Sequence, residues 1–189
     1  MLEHKGTRLL ETQHLILRKA ARTDAEPMFL NWASDPQVTK YLTWPTYKSI
    51  DTAHEILEIW IKEYDKPNFY QWMIELKEIG QPIGSISVVG YNEQISEAEI
   101  GYCIGRKWWH KGITSEALSA VIEYLFAEVG FNRISAKHDV NNPHSGNVMK
   151  KCGMIYEGTT YCSDKNNQGI CDTAHYGILY TDWNHDSTL

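Results

Sequence analysis

The sequence predicts an α+β fold in which one twisted, mixed β-sheet of about six to seven strands is flanked by helices. Two observations carry that expectation. Apolar residues recur at helical spacing over residues 49–64 and again over 116–129, while between and after these stretches they alternate. The segment order is strand, two helices, three strands, helix, strand, helix, strands. A run of strands followed by strand-helix-strand closes as a mixed sheet covered by helices. The length, 189 residues with 42% apolar side chains, suits a single domain over 1–189 with its own core.

Each element has its own signal. Residues 14–19 (HLILRK) alternate as a first strand. Thr23 or Asp24 can cap a helix carrying Met28, Phe29 and Trp32, which Asp35-Pro36 ends. Over 49–64, Ile50, Ala53, Ile56, Leu57, Trp60, Ile61 and Tyr64 share a helical face, and Pro67-Asn68 punctuates. Strands follow at 70–76 and 83–89, joined by a turn at 79–82, with a third at 97–104. The helix over 116–129 has the clearest stripe: Ala117, Leu118, Val121, Ile122, Leu125 and Phe126, with Gly130 as its stop. A strand at 133–140 precedes a short helix holding Val148 and Met149, stopped by Gly153. Last strands are expected at 154–161 and 175–180, and the polar tail 184–189 is expected to fray.

Composition excludes some functions. A net charge of −6 argues against a nucleic-acid binder, which needs a basic face, and suits cationic partners such as amines and basic peptides. The N-terminus lacks the apolar run of a signal peptide, and no stretch reaches membrane-spanning length. The four cysteines, Cys103, Cys152, Cys162 and Cys171, form no CxxC pair. The expectation is a cytoplasmic protein with reduced thiols, without a membrane partner, and compatible with a homodimer. Cys162, Cys171 and His175 match no zinc spacing, so no metal is expected, and Cys152 reads as core packing.

The segment from Trp109 to Glu116 (WHKGITSE) lies between a strand and the strongest helix. A helix start leaves N–H groups unpaired and carries partial positive charge. Gly112 permits close backbone approach, Lys111 adds charge, and Thr114 or Ser115 can cap or donate; Glu116 stands where a capping-box partner would. The loop therefore reads as a phosphate cradle or as an ordinary capped turn. It is neither a P-loop nor a dinucleotide fingerprint.

The string EIGYCIGRKWWHKGITSEAL resembles the acetyl-CoA-binding motif of GNAT N-acetyltransferases, in which a [QR]-x-x-G-x-[GA] loop wraps the pyrophosphate. Here Trp109 replaces the usual Gln or Arg, and Thr114 the usual small residue. Downstream, residues 142–154 (NPHSGNVMKKCGM) resemble the family's N-x-x-S-x-x-[VL]-x-x-K-x-G-[FM] pattern, followed by Glu157-Gly158. Arg18, Asp172 and Tyr176 resemble the subgroup of ribosomal-protein N-terminal alanine and serine acetyltransferases. The resemblance implies a GNAT-like fold, acetyl-CoA as cosubstrate and a primary amine as acceptor. It implies cofactor contacts along Trp109, His110, Lys111, Gly112, Ile113, Thr114 and Ser115, with Asn142 on the pantetheine arm.

Ser145 bears a hydroxyl that can meet the thioester sulfur or cap a helix, or do both. Glu99, two residues before Gly101, is the first choice for a base. Glu97 shares its strand face and is the reserve; His110 and His138 are alternatives. Backbone N–H near the end of the Glu99 strand, around Cys103 or Ile104, is expected to hold the oxyanion. The aromatic residues Trp32, Tyr41, Trp44 and Tyr47 lie where the family shapes its acceptor cleft. They suit a peptide N-terminus or a small amine, whether antibiotic, polyamine or amino acid. A rival reading from another class is a non-catalytic acyl-CoA-binding sensor or interaction module, with the Trp109 departure as its main support.

Overall fold

The computed structural model of the chain describes residues 2–186. Its strands are β1 (Leu10–Glu11), β2 (Leu15–Arg18), β3 (Gln71–Leu76), β4 (Gln81–Asn92), β5 (Glu97–Ile104), β6 (Arg133–Asp139), β7 (Ile155–Asn166) and β8 (Gly169–Leu179). Its α-helices are α1 (Ala25–Met28), α2 (Pro36–Thr39), α3 (Ile50–Glu63), α4 (Ile113–Tyr124), α5 (Pro143–Lys151) and α6 (Tyr180–Asp186). The strands form one sheet in the order β1-β2-β3-β4-β5-β6-β8-β7. Every neighbour is antiparallel except β5 and β6. The eighth strand is β1, whose two residues are too few to show alternation.

The helices sandwich the sheet. On one face the predicted α4 stripe is buried, with Ala117, Leu118, Val121 and Leu125 fully shielded against Leu15, Trp72, Ile86 and Ile100. Each of the larger three, Leu118, Val121 and Leu125, contributes about 1.5–3 kcal/mol of burial. Leu125–Val129 continues α4 as a wider turn, and Gly130 ends it at φ +86. On the other face Met28, Trp32, Ala53 and Leu57 pack on Met73. The Ser49 hydroxyl accepts from the Asp51 N–H to start α3.

Three local expectations change. Asp24 caps nothing ahead of it; its carboxylate turns back to accept the Ala21 N–H and is held by Arg18. Asp35-Pro36 starts a helix as well as ending one, since Asp35 accepts from the Gln37 N–H and Pro occupies the first turn of α2. The final hairpin is longer than alternation suggested, at 12 and 11 residues, because register shifts near Gly158 and between Thr160 and Asp164 break its period. Of the tail expected to fray, residues up to Asp186 continue α6, and 187–189 lie outside the described residues. Among the described residues no helix is long and apolar enough to cross a membrane.

The feature that positions the site is the join between β5 and β6. They pair in parallel over only Glu97–Glu99 against Arg133–Ser135, and then part. Beyond that point β5 continues on β4 alone and β6 on β8 alone. A bulge at Val89 stands opposite the point of parting, where it increases the local twist.

Arg18 links the edge of the sheet to α1. Its guanidinium donates to both Asp24 oxygens at 2.7 and 2.8 Å and to Glu75 at 2.5 Å, and Asp24 is 3% exposed. Asp24→Ala should lower unfolding free energy by about 2–3 kcal/mol, less than the full cost of a broken buried pair because Arg18 keeps Glu75. Urea denaturation measures this; a loss below about 0.5 kcal/mol would show the pair to behave as a surface salt bridge.

Candidate active site

The parting of β5 and β6 opens a passage through the sheet. A cavity of about 350 Å³ lies on the side of α4 and α5, against the Trp109 to Ser115 loop. A second, of about 690 Å³, lies on the side of α1–α3. Tyr41, Leu42, Tyr102, Cys103, Asn142 and Ser145 line both. The two cavities therefore adjoin at these six residues.

The loop is built as a cradle. His110 and Gly112 both adopt left-handed backbone, at φ +59 and +79, which turns the chain tightly into α4. Gly112 is the N-cap and no side chain caps the helix, so the first-turn N–H groups of Ile113, Thr114 and Ser115 face outward. A Cβ on Gly112 would stand 3.4 Å from the Lys151 Nζ, so the glycine keeps the space between loop and lysine open. Lys111 and Lys151 both line this cavity. Such a positive, donor-rich recess fits the pyrophosphate of a CoA thioester.

The unusual residues have structural employment. The Trp109 indole donates to the Ile104 carbonyl at 2.9 Å, fastening the loop to the end of β5. The Ser115 hydroxyl donates to the Gly112 carbonyl, 3.2 Å. Glu116 is no capping-box partner. Its carboxylate accepts from the Thr12 hydroxyl, the His14 N–H and the His14 ring, tying α4 to the β1–β2 turn. Burial alone would raise its pKa, but these hydrogen bonds hold it below the usual value. The His110 ring meets His144 of α5 edge-on, centroids 4.7 Å apart, across the cavity mouth.

On β5 the side chains alternate, yet both faces reach the passage. Glu99 lines the larger cavity from one face. From the other, Tyr102 reaches the start of α5, where its hydroxyl donates to the Ser145 carbonyl at 2.9 Å and accepts from the Ser145 hydroxyl at 3.0 Å. Burial pushes the Tyr102 phenol well above its ordinary value, so it stays protonated near neutral pH. Asn142 lines both cavities with a side chain that caps nothing. Burial also raises the Cys103 thiol, which sits 3.5 Å from the Ser85 hydroxyl.

The candidate bases separate. Glu97 is occupied by Arg133 at 2.9 Å, which also binds Glu157, and it lines neither cavity. Glu99 lies 3.6 Å from the Lys137 Nζ, which is closer to Asp164 at 3.1 Å. His138 stacks on Tyr176 and its Nδ1 donates to the Asp139 carbonyl. Its Nε2 is buried without a partner, and a Cβ on Gly146 would lie 2.5 Å from it. Cys162 is exposed and His175 is bonded to Thr160 and Thr173. Sequence reading missed Tyr102, Lys137 and Asp164. Alternation from Glu99 would have placed Tyr102 beside the helices, whereas the Lys137–Asp164 contact spans strands far apart in sequence.

Comparison with known proteins gives independent matches to the sequence and the fold. The family model described as acetyltransferase (GNAT) domain matches residues 14–155. The uncharacterized N-acetyltransferase YoaA of Bacillus subtilis (strain 168) is 32% identical over 171 residues, covering 90% of this chain and 96% of that protein. The ribosomal protein uS5-alanine N-acetyltransferase of Escherichia coli (strain K12) is 39% identical over 59 residues, 31% of this chain and 30% of its own. A GNAT-family acetyltransferase crystal structure from Bacillus anthracis superposes with a TM-score of 0.81 at 25% identity, over 92% of this chain and 99% of that one.

Two Gly112 variants test the cradle. Gly112→Val strains the left-handed backbone and fills the recess; Gly112→Asn tolerates the backbone but still adds a side chain. Both should weaken acetyl-CoA binding by roughly tenfold or more, about 1.4 kcal/mol, in calorimetry, and only the Val variant should also lose stability. Native affinity in Gly112→Asn would mean that the loop is a capped turn and nothing more.

Proposed function

The chain belongs to the GNAT family of acetyl-CoA-dependent N-acetyltransferases, and we propose that the amine it acetylates is the N-terminal α-amine of a protein or peptide. The observation that carries this reading is the passage itself, with a carboxylate on the acceptor side and a hydroxyl pair on the cofactor side of the same six residues. The named activity of the uS5 relative supports the α-amine. Alanine has no nitrogen in its side chain, so an alanine N-acetyltransferase working on a protein acts at the chain start. Amine chemistry points the same way. With pKa values of about 8 and 10.4, the neutral fraction of an α-amine at pH 7 is roughly two hundred times that of lysine. The Lys137, Glu99 and Asp164 group and the aromatic residues Tyr41, Trp44, Tyr47 and Trp60 give the cavity a polar floor and an apolar wall.

The residues divide the work. Acetyl-CoA supplies an acetyl group activated as a thioester. The α4 start and Lys111 hold its phosphates, and Asn142 pairs with the amides of its arm. The β5 edge at Ile104, free of β6, offers a backbone N–H to the carbonyl oxygen, while the Cys103 N–H faces β4. Glu99 takes the proton from the attacking amine. The Ser145 hydroxyl, held beside Tyr102, donates a hydrogen bond to the departing sulfur and steadies it as thiolate, which takes its proton from water while the phenol stays protonated. Direct transfer needs no nucleophile from the chain, which agrees with the raised Cys103 and Cys152 thiols.

Glu99→Gln should lower kcat on the order of a hundredfold with little change in acetyl-CoA affinity, and flatten the acid-side fall of kcat/KM. Glu97→Gln should leave kcat near native. Equal losses in both variants would remove Glu99 from the base role. For the acceptor, an Ala-starting basic peptide is compared with its N-terminally blocked, lysine-containing twin by thiol release. The free peptide should be the substrate. Faster turnover of the blocked twin refutes α-amine selectivity, and turnover of neither moves the reading to a small free amine.

A further inference from the structure

The acceptor cavity is roofed by two segments that meet at one side chain. One is the loop between α2 and α3, which contributes Tyr41, Leu42 and Trp44 to the lining; the other is the tip of the β7–β8 hairpin, which contributes Asp164, Lys165 and Asn166. The tip extends past the end of β6, whose pairing with β8 stops at Asp139–Thr173. Beyond that point Asp164 to Asn166 pair only with Gly169 to Cys171, as a two-stranded ribbon. Such a ribbon is marginal in water by itself, so its anchors decide where it lies.

There are two anchors. Asn166 is buried and donates to the Asp139 carboxylate at 2.7 Å, which fixes the ribbon to the end of β6. Asn167, at the exposed turn, crosses to the opposite loop. Its side-chain amide donates to the Thr39 and Trp44 carbonyls, each at 2.8 Å, and its backbone N–H donates to the Leu42 carbonyl at 3.3 Å. The residue lines no cavity itself. It joins the two sides of the roof from outside and closes a ring over the charged floor.

We propose that Asn167 is a specificity-determining positioning residue, whose three hydrogen bonds hold the hairpin tip as a strap across the acceptor cavity. An acceptor then reaches the thioester only if it is slim enough to pass beneath. A free chain start or a small amine qualifies; an amine crowded by a bulky neighbour does not. The proposal rests on the α-amine reading only for the choice of acceptor.

The test compares alaninamide with alanine N-adamantylamide, which share one α-amine and differ in girth, using the native enzyme, Asn167→Ala and Asn167→Asp. Aspartate keeps the shape of asparagine without its N–H donors. The native enzyme should prefer alaninamide by about tenfold or more in kcat/KM, and both variants should narrow the ratio to about threefold, chiefly through KM for the bulky amine, as fits loss of one or two neutral hydrogen bonds. Amide hydrogen exchange should quicken over residues 39–44 and 164–169 and stay native in α4. A native enzyme that takes both amines equally, variants that leave the ratio unchanged, or an Asn167→Asp enzyme indistinguishable from native each overturns the strap. Failure of the α-amine reading is a separate result: the native enzyme then acetylates neither alaninamide nor the free peptide. The pair of slim and bulky acceptors is in that case rebuilt on the primary amine it does acetylate, and the same ratio decides.

Discussion

The short parallel contact between β5 and β6 is the constraint on which the rest of the molecule depends. Three residues of each strand pair, and then the strands part. A sheet is normally a wall, with alternate side chains committed to opposite sides. Here the parting makes a window, so Glu99 and Tyr102, which point to opposite faces of β5, come to line the same passage. The parting also strips one edge of β5 of its partner and leaves backbone donors beside the cavity. The direct transfer proposed above draws on both consequences.

Unpaired groups elsewhere are kept for similar use. The start of α4 has no capping side chain, since Gly112 is its N-cap and Thr114 and Ser115 lie inside the first turn. Ser115 spends its hydrogen bond on the Gly112 carbonyl instead, and Glu116 reaches away to Thr12 and His14. The helix start is left bare, and its field is available to an anion. At the start of α5 the Ser145 hydroxyl points to Tyr102, and a tyrosine held protonated by burial closes the arrangement.

The sequence was most legible where the physics is local. The α4 stripe depends on residues three and four apart, and the structure keeps the 3.6-residue period through Ile122, with Leu125 and Phe126 still buried in the wider turn that Gly130 ends. The tight turn into α4 was legible for the same reason, being a glycine next to a helix start. The role of Trp109 was not, since its indole is bonded to the Ile104 carbonyl, a contact made only once the loop has folded back on β5. Glu97 and Glu99 looked equivalent by alternation. What separates them is β6 and β7, strands that begin more than thirty residues later in the chain. The hairpin tip was read short because its register shifts hide the period of two, and the roof it forms with the α2–α3 loop joins residues over 120 apart, as in Asn167 and Thr39.

That separation of the two glutamates shows how one repeated arrangement gives two outcomes. Each basic side chain of β6 spans a carboxylate on β5 and one on β7: Arg133 binds Glu97 and Glu157, and Lys137 binds Glu99 and Asp164. The Arg133 rung lies where β5 and β6 are still joined by backbone hydrogen bonds, and its planar guanidinium holds both acids closely, at 2.9 and 2.5 Å. The Lys137 rung lies beyond the parting, where the ammonium must reach across the window. It leans toward Asp164 at 3.1 Å and leaves Glu99 at 3.6 Å. Burial pulls the pKa of Lys137 down, but Asp164 and Glu99 outweigh it, so the lysine stays charged. A charged lysine held by Asp164 keeps Glu99 oriented without occupying it. The same chemistry that locks Glu97 into the sheet therefore leaves Glu99 the loosely held carboxylate at the window, which is what the base role proposed for it requires.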